Sequence, residues 1–161
     1  MPIDAAQFRA ALALRAGGVA IVTARAGDRV HGMTVTDFAG VSLEPPLVLV
    51  CADKKSNTLP MIESGRNFAV NLLAHGQEAL SNLFASKQHE WTRFEGLTCE
   101  AGATGAPFIP GALVSLACRV VALHDAGDHV IVVGEVEEAR CAEASPLVHF
   151  RGAYRQLAPG S

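Results

Sequence analysis

The run Gly32-Met33-Thr34-Val35-Thr36-Asp37-Phe38-Ala39-Gly40-Val41-Ser42-Leu43 interleaves glycines, small hydroxyls and β-forming residues. A flat heteroaromatic ring is held by such a wall, with apolar contact over its face and donors and acceptors along its polar edge. The same residue types also describe a Thr-rich strand and its loop, so composition leaves both open. A second run, Asp53-Lys54-Lys55-Ser56-Asn57-Thr58-Leu59-Pro60, sets two cations and three hydroxyl or amide side chains before an expected helix start. Free N–H groups and partial positive charge at a helix N-terminus suit such a segment to a phosphate. A solvated turn with Thr58 as N-cap accounts for it equally.

Two smaller groups follow. Gly127-Asp128-His129 puts a histidine on the rim of an expected hairpin, ahead of the apolar Val130-Ile131, where it faces either a barrel mouth or solvent. Phe150-Arg151-Gly152-Ala153-Tyr154-Arg155 holds the one tyrosine between arginines that suit an anion. Trp91 and Phe94 lie in an irregular stretch, as a mobile lid or as the filling of a groove between two copies. His124 and His129 can approach across their turn, but no carboxylate or thiol completes a ligand set, so no metal site is expected. The dinucleotide G-x-G-x-x-G, the phosphate-binding G-x-x-x-x-G-K-[ST], G-x-S-x-G and H-E-x-x-H patterns are all missing.

The elements that must position these groups are short. Asp4 to Arg15 has Phe8, Ala11, Leu12 and Arg15 at helical spacing, with Asp4 as N-cap and Gly17-Gly18 as terminator. Val19 to Ala24 and Val30 to Thr36 are β-rich around the hairpin signal Gly27-Asp28. Gly40 to Leu43 and Leu47 to Cys51 are further strands, broken by Glu44-Pro45-Pro46. Thr58 to Ser64 reads as a short helix with Pro60 in its first turn and Gly65 at C′. Phe68 to Leu73 is a strand, and Gln77 to Ala85 is a helix using Leu80, Leu83 and Phe84. Gln88 to Pro110 is the least regular part, with one short strand near Leu97 to Glu100. Leu113 to His124 and Val130 to Arg140 flank Asp125-Ala126-Gly127-Asp128 as a long hairpin, and a last strand covers Leu147 to Phe150. About seven closely spaced strands and three short helices predict a mainly β, antiparallel barrel.

A chain of 161 residues, half of them apolar and 18% charged, suits one folded domain over residues 1–161. The net charge of −3 and thirteen scattered Lys and Arg residues point away from nucleic acid. The amino terminus lacks the apolar core of a signal peptide, and no run approaches the roughly 18 apolar residues of a membrane helix. Cys51, Cys99, Cys118 and Cys141 form no C-x-x-C pair and read as thiols of a reducing compartment, with the cytoplasm as the expected location.

Taken in order, these segments resemble the flavin reductase-like family of the FMN-binding split barrel. They are most similar to the reductase components of two-component flavin-dependent monooxygenases, such as that of 4-hydroxyphenylacetate hydroxylase. The resemblance runs from about Phe8 to Leu157. It is carried by Gly18 to Ala24, Gly32 to Phe38, Ser42 to Leu47, Ser56-Asn57-Thr58, Phe68 to Leu73, Phe84-Ala85, Gly127-Asp128-His129 and Tyr154.

The resemblance implies a Greek-key split β-barrel, paired as a homodimer, with FMN or FAD in a groove near the dimer interface. Thr34, Val35, Thr36, Asp37 and Phe38 would line the isoalloxazine ring, with Ser42 close by. Cys51, Ala52, Lys54, Ser56, Asn57 and Thr58 would hold the ribityl and phosphate part, the last four as anion contacts. Phe84 and Ala85 would lie near the flavin, and Tyr154 joins the cofactor-binding set. His129 would sit where the nicotinamide or flavin ring is approached, as the one catalytic side chain. There it would orient the nicotinamide or its carboxamide, or stabilise negative charge on the reduced ring. NADH or NADPH would pass hydride from nicotinamide C4 to flavin N5, which needs the rings stacked within about 3.5 Å. Reduced flavin would then serve a separate monooxygenase. Many relatives carry a small hydroxyl residue in place of Asp37, whose carboxylate would repel a flavin phosphate; it is expected to turn away or to accept from a ring N–H. The competing readings are a split-barrel oxidase of an organic substrate, like a pyridoxamine-phosphate oxidase, and a non-catalytic flavin store.

Overall fold

The computed structural model describes residues 1–158 and Gly160. Helix α1 (Ala5–Leu12) starts where Asp4 accepts a 2.8 Å bond from the Gln7 amide, as the N-cap reading requires. After β1 (Gly17–Gly18), strands β2 (Ala20–Ala26) and β3 (Arg29–Val35) form a hairpin, and β4 (Phe38–Leu43) and β5 (Pro46–Asp53) form another. Helix α2 (Thr58–Gly65), β6 (Asn67–Leu72) and α3 (Glu78–Ala85) follow. Two-residue strands β7 (Glu100–Ala101) and β8 (Pro107–Phe108) precede the long pair β9 (Val114–Ala126) and β10 (His129–Cys141). The last elements are β11 (Val148–Phe150) and β12 (Ala153–Arg155).

The main sheet has seven antiparallel strands in the order β3-β2-β6-β9-β10-β5-β4. Its hairpins are local, but β6 returns beside β2, and β5 lies beside β10, which is the Greek-key crossing of a split barrel. Register shifts interrupt β4–β5 between Gly40 and Ser42, and β9–β10 at two places. Such bulges bend strands and let a sheet curl.

Burial follows the period of two. In β2 the side chains of Ala20, Val22 and Ala24 join Val50, Ala52, Phe68, Val70 and Val132 in the barrel interior. Ile21, from the opposite face, joins Val19, Leu73, Phe84, Ile109 and Leu147 in a second core beneath α3. A strand covered on both faces reads as a continuous apolar run rather than an alternating one.

Three expectations are corrected. Gly65 is the last helical residue, and the left-handed conformation falls on Arg66 (φ 53°). Glycine is needed at position 65 for space, because a Cβ there would lie 1.9 Å from the Arg25 carbonyl oxygen. The strand expected near Leu97 to Glu100 is instead the β7–β8 pair, with only Glu100 in common. β1 and β12 were not foreseen, since two or three residues carry no measurable period.

Helix α1 buries none of its residues: Phe8, Leu12 and the following Leu14 are each more than half exposed. On β4, at the sheet edge, Leu43 is 96% exposed. These apolar groups have no cover within one copy of the chain.

Candidate active site

Two clefts lie near the end of β5. The first, about 200 Å³, lies between β3, the β5–α2 loop and the C-terminal end of α3. Thr34, Ser56, Thr58, Phe84 and Ala85 all line it, so three segments far apart in sequence converge on one space. The second, about 490 Å³, lies under α1 and is lined by Asp37, Cys51 and His129 among others. Asp53 lines the first cleft, and its cross-strand partner His129 lines the second. That backbone pair thus contributes one residue to each cleft.

The first cleft is rich in cations and donors. Lys55, Lys87 and Arg93 line it together with the hydroxyls of Ser56 and Thr58. Ser56 Oγ accepts from the Thr58 amide at 3.0 Å and donates to the Met33 sulfur at 3.2 Å. A thioether is a weak acceptor, so that hydroxyl is readily redirected to an anion. Thr58 is fully buried, and its Oγ1 lies 2.8 Å from His31 Nδ1. Thr34 Oγ1 donates to the Ser81 carbonyl at 2.6 Å, which ties β3 to α3. Close approach of α3 needs Gly32, where a Cβ would sit 2.9 Å from the Phe84 ring.

The 86–97 segment closes this cleft. The Arg93 guanidinium is buried and donates at 2.6 Å to both the Gly32 and Ser86 carbonyls, leaving Nε without a partner. Burial holds its pKa below the usual arginine value. Phe94 packs edge-on against Phe84 with centroids 5.2 Å apart, while Trp91 stays 67% exposed, its ring edge toward His31. His31 Nε2 is buried and unpartnered, with the nearest Glu90 oxygen at 3.6 Å. The buried Arg93 Nε has no acceptor and is set among the three cations and the carboxylates of Asp53 and Glu90. It suits a phosphate-bearing ligand, because such a group costs free energy until something meets it.

In the second cleft, His129 Nδ1 lies 2.7 Å from an Asp128 oxygen. The hydrogen bond from His129 holds the Asp128 carboxyl below the usual aspartate range. A carboxylate accepts only, so Nδ1 carries the proton, and Nε2 remains as the imidazole atom free for a ligand. Cys51 is half-buried, and burial together with the Asp37 charge pushes its thiol up, away from the nucleophilic thiolate. Asp37 pairs with Arg15 at 2.8 Å, and Arg15 also donates to the Thr36 carbonyl at 3.1 Å. The carboxylate thus turns to the α1 segment and meets a cation there.

Other expected site residues face elsewhere. Val35 and Phe38 are partly buried against the barrel core, and Ala52 lies within it. Lys54 is turned to the β9–β10 hairpin, where it meets Asp125 at 2.5 Å and the Gly127 carbonyl at 2.6 Å. Asn57 is the N-cap of α2, but its side chain makes no capping bond. Ser42, on edge strand β4, lines neither cleft. The Tyr154 hydroxyl donates to Asn82 Oδ1 at 2.7 Å and lies 2.8 Å from the Ser81 hydroxyl, which anchors α3. Arg151 lies over the Phe150 ring, outside both clefts. Sequence reasoning missed His31, Lys87 and Arg93. His31 shares the inward face of β3 with Met33 and Val35, so alternation could have found it. Lys87 and Arg93 sit in aperiodic chain, and Arg93 reaches Gly32 across 61 positions.

Comparison with known proteins finds relatives along nearly the whole chain. Residues 13–158 match the family model described as the flavin reductase like domain. The chain is 44% identical over 151 residues to the 4-hydroxyphenylacetate 3-monooxygenase reductase component of Thermus thermophilus, covering 93% of this chain and 95% of that protein. The flavin reductase PheA2 in its native state superposes with a TM-score of 0.90 at 38% identity, over 97% of this chain and 99% of that one. The NADH:FAD oxidoreductase of Streptomyces globisporus, in complex with NAD and FAD fragments, gives a TM-score of 0.91 at 34% identity, over 98% and 95%.

Proposed function

The chain belongs to the flavin reductase-like family, and from that premise we propose how its own residues divide the work of an NAD(P)H:flavin oxidoreductase. The enzyme takes FMN or FAD and NADH or NADPH, and supplies reduced flavin to a separate monooxygenase. Relatives bearing reductase and reductase-component names support this reading over the oxidase and the flavin store.

The observation that carries the assignment is the strand pair Asp53–His129, which lends one residue to each cleft. In the cationic cleft, Lys55, Ser56, Thr58, Lys87 and Arg93 hold the flavin phosphate. Thr34 to Phe38, mainly through backbone groups, and Phe84 with Ala85 flank the ring. Bound flavin supplies the hydride acceptor, and the protein supplies position and electrostatics. His129, its tautomer set by Asp128, offers Nε2 as acceptor to a carboxamide N–H of the nicotinamide. No step asks it to carry a proton to completion, because the hydride comes from the nucleotide. The Arg15–Asp37 pair neutralises the Asp37 carboxylate.

The uncovered apolar groups of α1 and β4 support a homodimer, whose partner copy would bury Phe8, Leu12 and Leu43. No helix among the described residues is long and apolar enough to cross a membrane. Four free thiols suit a cytoplasmic enzyme of one domain spanning residues 1–161. A steady-state matrix of FMN and FAD against NADH and NADPH tests the assignment. Oxidation of a nicotinamide must accelerate with at least one flavin; four rates equal to the enzyme-free rates would refute it.

A further inference from the structure

His31 is a buried titratable group with no part in hydride transfer. Its side chain is 3% exposed, with Nδ1 at 2.8 Å from Thr58 Oγ1 and Nε2 unpartnered toward Glu90. From β3, Arg29 contributes positive charge; from the 86–97 segment, Arg93 contributes positive and Glu90 negative charge.

We propose that His31 is a positioning residue that couples the grip on the flavin phosphate to uptake of one proton. The inference rests on reading the cationic cleft as the phosphate site. Its logic is a count of hydrogens. In the neutral ring, a bare Nε2 lone pair facing the Glu90 carboxylate is repelled, so the favoured tautomer carries its hydrogen on Nε2. Nδ1 is then an acceptor, and the single Thr58 hydroxyl hydrogen must point at it. Thr58 consequently presents lone pairs to the cleft, which an anion avoids. When the ring takes a proton from solvent, Nδ1–H donates to Thr58 Oγ1, and the Thr58 hydrogen becomes free for a phosphate oxygen. Nε2–H meanwhile faces the Glu90 carboxylate charge at 3.6 Å.

Without ligand, burial and then Arg93 hold the imidazole below its ordinary pKa, so the resting ring is neutral near pH 7. A phosphate dianion in the cleft offsets Arg93 and reverses that balance. Binding of FMN should therefore take up protons, whereas riboflavin, which has no phosphate, should not. Free FMN, with a second phosphate pKa of about 6, would release protons on binding below that pH, the opposite sign.

The test is calorimetric titration of the full-length protein with FMN and with riboflavin at pH 7.5, in buffers of different ionisation enthalpy. The expected result is a phosphate-specific uptake of a substantial fraction of one proton. The preference for FMN over riboflavin should also fall by at least about threefold from pH 6.5 to 8.5. His31→Asn, whose amide can donate permanently to Thr58, should keep the FMN preference and lose the uptake. Equal proton uptake for the two flavins in the wild-type protein overturns the proposal whatever the variant does. An FMN preference that is constant with pH also overturns it but leaves the phosphate cleft standing; no FMN preference at any pH removes both.

Discussion

Lys54 and Asp125 form an ion pair at 2.5 Å, and the same ammonium donates to Gly127, so the loop before α2 is clasped to the hairpin that ends in His129. The Lys54 amide adds a 3.0 Å bond to the Asp128 carbonyl. A cation that residue type and spacing assign to a phosphate is engaged in holding the turn of the second cleft.

The two lysines of this loop therefore have separable effects. Lys54→Ala should slow flavin reduction by NADH severalfold while changing FMN and riboflavin affinity alike and little. Ser56→Ala and Lys55→Ala should each weaken FMN by roughly tenfold, the order of one charge-assisted hydrogen bond, with riboflavin nearly unaffected. Equilibrium titration by quenching of flavin fluorescence distinguishes them. Equal losses of FMN and riboflavin in the Ser56 and Lys55 variants would sink the phosphate assignment.

His129→Ala should reduce the rate of flavin reduction by roughly tenfold to a hundredfold through lost orientation of the nicotinamide, and change flavin affinity by less than about twofold. Asp128→Asn should fall between this variant and the parent enzyme, because an amide can still meet Nδ1 but no longer fixes the proton there. Rapid mixing of flavin-loaded enzyme with NADH in the absence of oxygen gives the rates. An unchanged rate in His129→Ala would remove the histidine from the reaction.

Much of this architecture is legible in residue order. The helix starting at Asp4, the Gly27-Asp28 and Gly127-Asp128 turns and the Glu44-Pro45 break are local events, set by cap, turn and proline chemistry within a few positions. Thr34, Ser56, Thr58, Phe84 and Ala85 do converge on one cleft. What could not be read is the outcome of long-range pairing. Arg93 reaches Gly32, Tyr154 reaches Ser81, and Lys54 reaches Gly127, and no periodicity reports such contacts. Ala52 belongs to an expected site segment, yet strand alternation sends its side chain into the core, with Val35 and Phe38 packed partly against it.

Packing makes its own forecast at Gly134, where a Cβ would meet the Phe68 ring at 2.4 Å and Cys118 Cβ at 2.9 Å. Phe68 and Cys118 are fully buried, and neither can move without disturbing the barrel core. Gly134→Ala should cost about 2–4 kcal/mol and lower Tm by roughly 5–15 °C, read by thermal unfolding without flavin. A shift below about 2 °C would mean that the β9–β10 bulge relaxes freely.

The ligand-free protein should also carry a signature of His31 in its pH dependence. Its folded pKa is lowered by burial and Arg93, so the unfolded chain binds more protons as the pH falls through the unfolded value of 6.5. Stability from this residue is present above pH 6.5 and lost below it. His31→Asn should flatten the Tm profile between about pH 5 and 7, and a profile parallel to that of the parent protein would contradict the neutral buried ring.

The most direct test of the whole account is to mix the protein and oxidised FMN or FAD with excess NADH or NADPH in the absence of oxygen and follow the yellow absorbance. The account predicts rapid bleaching with at least one pair, at a rate far above that of flavin and nicotinamide alone, and continued nicotinamide oxidation once oxygen is admitted. Flavin that binds yet stays yellow under every nicotinamide would contradict it.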